Sequence, residues 1–383
     1  MAGLHALRHA LELSFGMFWQ ILWALVLGFG LSGAVEAVVS KEEMGRLLPD
    51  DRPRSLLKAA GLGAASSSCS YAAVALARSI FRKGADFTAA MAFEIASTNL
   101  VIELGIVLVV LMGWPFTAAE FLGGPLMIIF VALLFRAFLT PRLVAAAREH
   151  AERGLSGRME GHAEMDMSVP GGSLWQRLTS PKGFTAISHY YVMNWASVWT
   201  DIAVGLLAAG ALAAWVPNHF WQSFFLAHHP LAAKVEGPLV GPLVAVVSFV
   251  CSVGNVPLAA VLWNGGISFG GVASFIFADL IVLPVLNIYR KYYGARAMFF
   301  IGASFYIAMA TAGFIVEIVF GTLGLVPASR HAKIIDAHVA VNGDTMLNLI
   351  FLATTAALVI RFVRTGGIDM LRMMNRPSGH RER

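Results

Sequence analysis

Charge is what this sequence has least of. Only 13% of its 383 residues are Asp, Glu, Lys or Arg, while 57% are hydrophobic and the mean hydropathy is +0.70. Soluble domains carry about 25% charged residues, so lipid is the solvent this composition fits. Cysteine is nearly absent too, and two thiols in so long a chain exclude a disulfide framework. There is no His-Glu-x-x-His zinc motif and no Gly-x4-Gly-Lys-Ser/Thr phosphate loop. An ATP-driven pump is therefore unsupported. The net charge of +5 does not point to nucleic acid, because the basic residues sit in short connections and at the C-terminus rather than along one amphipathic face.

Long uncharged runs are what is present: Leu13 to Val35, Phe121 to Phe135, Ile202 to Ala233, Gly237 to Ala278 and Ala297 to Val316. A hydrocarbon core needs roughly 20 apolar helical residues, and these runs lack the alternation of a β-barrel strand. The first is too long and too weakly flanked for a signal peptide and is taken as the first span. Lys and Arg gather in Lys41 to Arg54, Arg82-Lys83, Arg142 to Lys182, Arg290 to Arg296 and from Arg361 onward, which places these segments in the cytoplasm. The connections near Trp114-Pro115, from Trp215 to Lys234 and from Gly321 to Gly343 are poor in Lys and Arg and belong outside.

Parity then requires two elements that do not cross. Ser55 to Phe81 begins and ends beside basic connections, and Gly237 to Gly266 must return to the outside. Each holds small polar residues where a turn is needed, Gly63 to Ser70 in one and Cys251 to Pro257 in the other. Each reads as a re-entrant hairpin with arms of about 11 residues, whose tip comes near mid-bilayer and needs protein or water around it. The spans are Leu13–Val39, Phe87–Gly113, Phe116–Leu139, His189–Trp215, Phe269–Tyr289, Ala297–Phe320 and Thr345–Ile360.

A shift of 182 positions pairs Cys69 with Cys251, Ser70 with Ser252, Val74 with Val256, Leu76 with Leu258, Ala77 with Ala259, Gly84 with Gly266 and Phe87 with Phe269, without a gap. Phe93/Phe275 and Ala96/Ala278 continue the register. The expected fold is an all-α polytopic membrane protein of two inverted-topology repeats, each with three spans and one re-entrant broken-helix hairpin, plus one extra C-terminal span. Residues 1–140 form the first repeat, 141–183 a cytoplasmic linker, 184–322 the second repeat, and 323–383 an outer loop, the last span and a basic cytoplasmic tail. The N-terminus is expected outside. The linker around Arg148 to Asp166 reads as an exposed helix or a disordered tether.

Two segments carry a family resemblance: Cys69-Ser70 through Arg82-Lys83-Gly84-Ala85 into Ala92-Phe93-Glu94-Ile95-Ala96-Ser97, and Val256-Pro257-Leu258-Ala259 through Gly265-Gly266 into Phe275. On these the chain resembles the ArsP-like permeases, bacterial inner-membrane proteins that include exporters of trivalent organoarsenicals. The resemblance implies a multi-pass protein of the bacterial cytoplasmic membrane and a role in metal or metalloid resistance. Tyr71 stands where family members often have a second cysteine, so the thiol chemistry here rests on Cys69 and Cys251 alone.

Both cysteines precede the second arm of a hairpin, where a helix N-terminus stabilises a thiolate, and paired thiolates suit trivalent arsenic, mercury or copper(I). The plainer alternative is that each packs as a small hydrophobe. A disulfide between them would lock the moving halves. Ser68, Ser70, Ser252, Asn255 and Asn99 are the remaining candidate solute contacts, equally suited to a hydroxylated or anionic cargo, although serine in a membrane helix is often only a cap or packing residue. Glu94, Glu103, Asp279 and Asp201 are intramembrane acids; desolvation favours the neutral form of such a carboxyl, as proton coupling requires. Glu94 and Asp279 are the leading pair, and their plainer role is to hold helices together. Glu36, Glu120 and Glu317 lie nearer span ends. His219, His228, His229, His331 and His338 fall in outer connections, where histidines are usually solvated.

The expected function is a secondary permease, not an enzyme, using the proton gradient to export a small thiophilic solute. A membrane dithiol/disulfide redox protein, a transporter of a small oxyanion and a passive channel are the alternatives. Lipid, protons and the solute are the expected partners, with a homodimer a possible assembly; no cofactor, resident metal or nucleic acid is called for.

Overall fold

The computed structural model describes residues 2–38, 47–67, 70–82, 84–152, 167–169, 172–215, 230–246, 252–330, 332 and 343–374. Every regular element among the described residues is helical. A long α1 (Ala2–Val38) precedes α2 (Pro53–Ser66), α3 (Ser70–Arg82), α4 (Phe87–Asn99), α5 (Ile102–Leu111), α6 (Trp114–Phe138) and α7 (Pro141–Glu152). Short α8 (Leu174–Thr179) leads into α9 (Pro181–Trp215), α10 (Pro230–Val246), α11 (Ser252–Gly265) and α12 (Phe269–Phe277). A 3-10 turn (Ala278–Ile281), α13 (Leu283–Tyr293), α14 (Ala295–Thr322), α15 (Gly343–Arg364) and α16 (Gly367–Met374) complete the order. Five segments among the described residues are long and apolar enough to cross a bilayer: Phe87–Leu111, Trp114–Phe138, Phe269–Tyr293, Ala295–Thr322 and Thr345–Arg364. The chain is thus a polytopic helical membrane protein.

Local chemistry sets the boundaries. Asp86 caps α4 by accepting from the Thr88 and Ala89 N–H groups at 2.8 and 3.1 Å, and Ser268 caps α12 by accepting from Gly271 N–H at 3.1 Å. The turns before these caps need a left-handed residue, supplied by Gly84 (φ +104°) and Gly266 (φ +114°). At both turns the glycine N–H donates to the carbonyl three residues back, Phe81 or Trp263, and the next N–H to the carbonyl five back, Ile80 or Leu262.

Two spans that read as continuous in sequence are broken. Phe87–Gly113 is interrupted at Leu100-Val101, and the span from Phe269 tightens at Ala278–Ile281 before an extended Val282 (ψ 147°), then runs on to Tyr293. At the first break Thr98 Oγ1 and Asn99 Nδ2 donate back to the Ile95 carbonyl, competing with the helix ladder. At the second, Pro284 has no N–H to offer Leu280. All residues of α4 and α12 are buried, so the discontinuities lie inside protein rather than in lipid.

Small residues let the neighbouring helices close on these segments. A methyl group built on Gly63 of α2 would lie 2.3 Å from the Phe93 carbonyl oxygen, and one on Gly241 of α10 would lie 2.5 Å from that of Gly271. α6 packs on both breaks: a methyl on Gly123 would meet the Phe277 ring at 2.0 Å, and one on Gly124 would meet Leu100 at 2.3 Å.

Other boundaries also move. The arms expected at about 11 residues are 14 and 13 residues in α2 and α3, and 17 and 14 in α10 and α11. Lys234, expected in an outer connection, lies inside α10, and α9 starts at Pro181, ahead of His189 and within the expected linker. That linker is not simply exposed. Its first part is α7, from which the Arg148 guanidinium stacks 4.1 Å from the Phe81 ring centroid and donates to the Phe81 and Ala85 carbonyls at 2.8 and 3.3 Å. The carbonyls left open at the end of α3, 63 and 67 residues away in sequence, draw this cation inward.

Gly63→Ala is expected to lower stability by about 1–3 kcal/mol, because the Phe93 backbone cannot retreat. Gly61→Ala on the same helix meets nothing within 4 Å, so it should be neutral or gain up to about 1 kcal/mol. Thermal unfolding of both variants in detergent micelles checks the contrast.

Candidate functional site

The two breaks meet through side chains. Ser70, the first residue of α3, donates its hydroxyl proton to Asp279 Oδ2 at 2.6 Å, and both residues are fully buried. Asp279 sits on the 3-10 turn of the second break, while Ser70 follows the gap between α2 and α3. The free N–H groups opening α3 favour negative charge at this position. Thr98 and Asn99, at the first break, lie close enough to act on the same carboxylate. Asn99 Nδ2 also donates to Thr98 Oγ1 at 2.8 Å.

Glu94, one turn before the first break, is fully buried and accepts a hydrogen bond from the Tyr289 hydroxyl of α13. Its charge couples to that of Asp279. Glu103, in the first turn of α5, accepts from the Ser67 hydroxyl. Ser67 closes α2 in the left-handed region (φ 43°, ψ 72°), the one non-glycine residue among those described with positive φ. Ser67 after α2 and Ser70 at the start of α3 are therefore tied to two different carboxylates.

The expected contacts resolve unevenly. Ser70, Asn99, Glu94 and Asp279 come together, and Glu103 joins through Ser67. Asn255 is buried near the start of α11, and Ser252 is that helix's first residue. Asp201 lies within α9. Ser68, Cys69 and Cys251 lie outside the described residues, as do His219, His228, His229, His331 and His338. No group of three or more metal-ligating side chains occurs among the described residues. Tyr289 is a site residue that the sequence reading passes over, because it looks like an interfacial aromatic at a span end.

Chemically, the cluster offers carboxylate oxygens with capacity to spare. Glu94 Oε2 and Asp279 Oδ1 accept no hydrogen bond among the described residues, so each can take a proton without losing an existing partner. The four residues of the cluster are 0% exposed, so this conformation seals them from both sides. A separate cavity of about 520 Å³ lies between α1 and α9, lined by Leu11, Phe15, Phe18, Trp199 and Leu206 among others, and it contains none of these residues.

Broken spans buried in a helical bundle, with polar groups converging at the breaks, define a membrane-embedded solute permease. The family model described as "Predicted permease", ArsP_1, matches residues 6–318. A protein of Mycobacterium tuberculosis (strain ATCC 25618 / H37Rv) named "Putative permease Rv2963" is 62% identical over 374 residues, covering 97% of this chain and 92% of that protein. The chain belongs to the ArsP-like permease family. No solved structure matches it.

Tyr289→Phe removes the donor to Glu94 and leaves that carboxyl with no hydrogen bond from a described side chain. The loss is expected to cost about 1–3 kcal/mol. Thermal unfolding in micelles measures it, and a variant as stable as the parent would mean that the contact adds nothing.

Proposed function

We propose that this permease is a secondary transporter of the bacterial cytoplasmic membrane that exports a small thiophilic solute, such as a trivalent organoarsenical, in exchange for protons. In this reading residues 1–140 and 184–322 form inverted repeats, the α2–α3 and α10–α11 pairs are opposed re-entrant hairpins, and the N-terminus is outside. The Ser70–Asp279 hydrogen bond carries the proposal, because it joins a hairpin tip of one half to the helix break of the other within a cluster of buried carboxyls.

The recurrence of detail at 182 positions supports the repeat. Ser70 and Ser252 open α3 and α11, Phe87 and Phe269 open α4 and α12, and Leu100 and Val282 lie at the two breaks. The arginine contact recurs as well: Arg330 stacks 4.6 Å from the Trp263 ring centroid and donates to the Trp263 and Ile267 carbonyls at 3.2 and 2.8 Å. Trp263, Ile267 and Arg330 stand 182 positions after Phe81, Ala85 and Arg148. Seven chance identities would not reproduce a three-residue contact of this kind.

Proton coupling is assigned to Glu94 and Asp279, with Glu103 and Asp201 as further candidates, and solute contact to Cys69 and Cys251 with Ser68, Ser70, Ser252, Asn99 and Asn255. Two cysteines that precede Ser70 and Ser252 in sequence favour a thiophilic cargo over an oxyanion. A permease relative supports movement of a solute, and the nature of that solute is this proposal's own step.

The test is reconstitution in vesicles, with uptake of arsenite, methylarsenite, mercury, copper(I) and common oxyanions measured under an imposed pH gradient. A thiophilic solute should accumulate. Cys69→Ser and Cys251→Ser should each abolish its uptake, and Glu94→Gln and Asp279→Asn should each reduce gradient-driven uptake by about a hundredfold. Parental uptake in both cysteine variants would remove the thiol site, and parental uptake in both carboxyl variants would remove the coupling assignment.

A further inference from the structure

A proton that reaches Asp279 from outside must cross the outer half of the bundle, and α6 carries a buried carboxyl on that stretch. Glu120 is six residues into the helix that starts at Trp114, roughly 9 Å from its outer end at 1.5 Å per residue. Its residue is 1% exposed, and its Oε1 accepts no hydrogen bond among the described residues. Gly123 and Gly124, three and four positions on, share its helix face and make the close contacts with Phe277 and Leu100. Phe277 is two residues before Asp279, and Leu100 is the first break itself. Glu120 therefore stands on the face of α6 that abuts both discontinuities, displaced from them toward the outer surface.

Other carboxylates on the helices packed against α6 already have partners: Glu94 has Tyr289, Glu103 has Ser67, and Glu317 Oε2 accepts the Gly270 N–H at 2.6 Å. The charge that acts on Glu120 is that of Asp279. On α6 itself, Arg136 is at the opposite end, where it pairs with Asp51 at 2.7 Å.

We infer that Glu120 is the outer proton relay of this permease, a positioning-independent exchange group that delivers the external proton to Asp279. The inference rests on the proton-coupled reading above. The neutral Glu120 carboxyl gives its proton to the Asp279 carboxylate, becomes a carboxylate itself, and is reprotonated from the outer aqueous phase. Glu94, coupled to Asp279 from the inner half, is the next acceptor. No counterpart exists in the second half, where Gly302 stands 182 positions on, so the path has one polarity.

The test uses the full chain in vesicles of uniform orientation, treated with a hydrophobic carbodiimide that modifies protonated carboxyls, with modified peptides identified by mass. Glu120 should be modified, and its modification should fall when the pH is raised on the Trp114 face and stay constant when it is raised only on the other face. No modification at any pH, or a response only to the opposite face, overturns the inference. A second arm uses methylarsenite as the probe: in Glu120→Gln, gradient-driven uptake should fall about a hundredfold further than gradient-free exchange, with partial recovery in Glu120→Asp. Equal losses in the two assays would assign Glu120 to structure alone. If the parent protein accumulates none of the thiophilic solutes under a gradient, the proposed function fails, while the labelling arm still decides the role of Glu120.

Discussion

A backbone N–H or C=O facing hydrocarbon without a partner costs several kcal/mol, and the arrangement of this protein follows from that constraint. A chain that breaks a helix within an apolar span must bury the break in its own interior. The breaks at Leu100-Val101 and Ala278–Val282 follow helices, α4 and α12, that are buried along their whole length. Glycine faces on α2, α10 and α6 bring neighbouring backbones within reach, and the open carbonyls at the ends of α3 and α11 each receive an arginine.

Once the breaks are inside, polar side chains become affordable there. Ser70, Thr98, Asn99, Glu94 and Asp279 gather at the interruptions, where hydroxyl and phenol donors satisfy one oxygen of each carboxylate and leave the other open. Tight structural ion pairs would be satisfied on both oxygens. The spare capacity, with no lysine or arginine among the described hydrogen-bond partners of these two carboxylates, fits groups that gain and lose protons.

Much of the fold is legible in sequence because hydropathy and the placement of Lys and Arg report directly on which segments meet lipid and which meet water. The breaks inside Phe87–Leu111 and Phe269–Tyr293 escape that reading, since mean hydropathy over a span averages out a two-residue interruption. Their signals are nonetheless present: Thr98-Asn99, which can bond their own backbone, and Pro284, which withholds a donor. Arg148 escapes for a different reason. Its run of mixed charge looks solvated, and its partners Phe81 and Ala85 are distant in sequence. Glu94 and Asp279 are found from sequence because a buried acid in an apolar run is rare, whereas Tyr289 and Glu120 resemble ordinary residues of a span end.

The central claim is that the two halves work through one contact between Ser70 and Asp279. A double-mutant cycle on gradient-driven uptake, using Ser70→Ala, Asp279→Asn and their combination, tests it most directly. If the contact is shared as described, the double variant should be no worse than Asp279→Asn alone. Losses that multiply would show that the two residues act separately and would contradict the account.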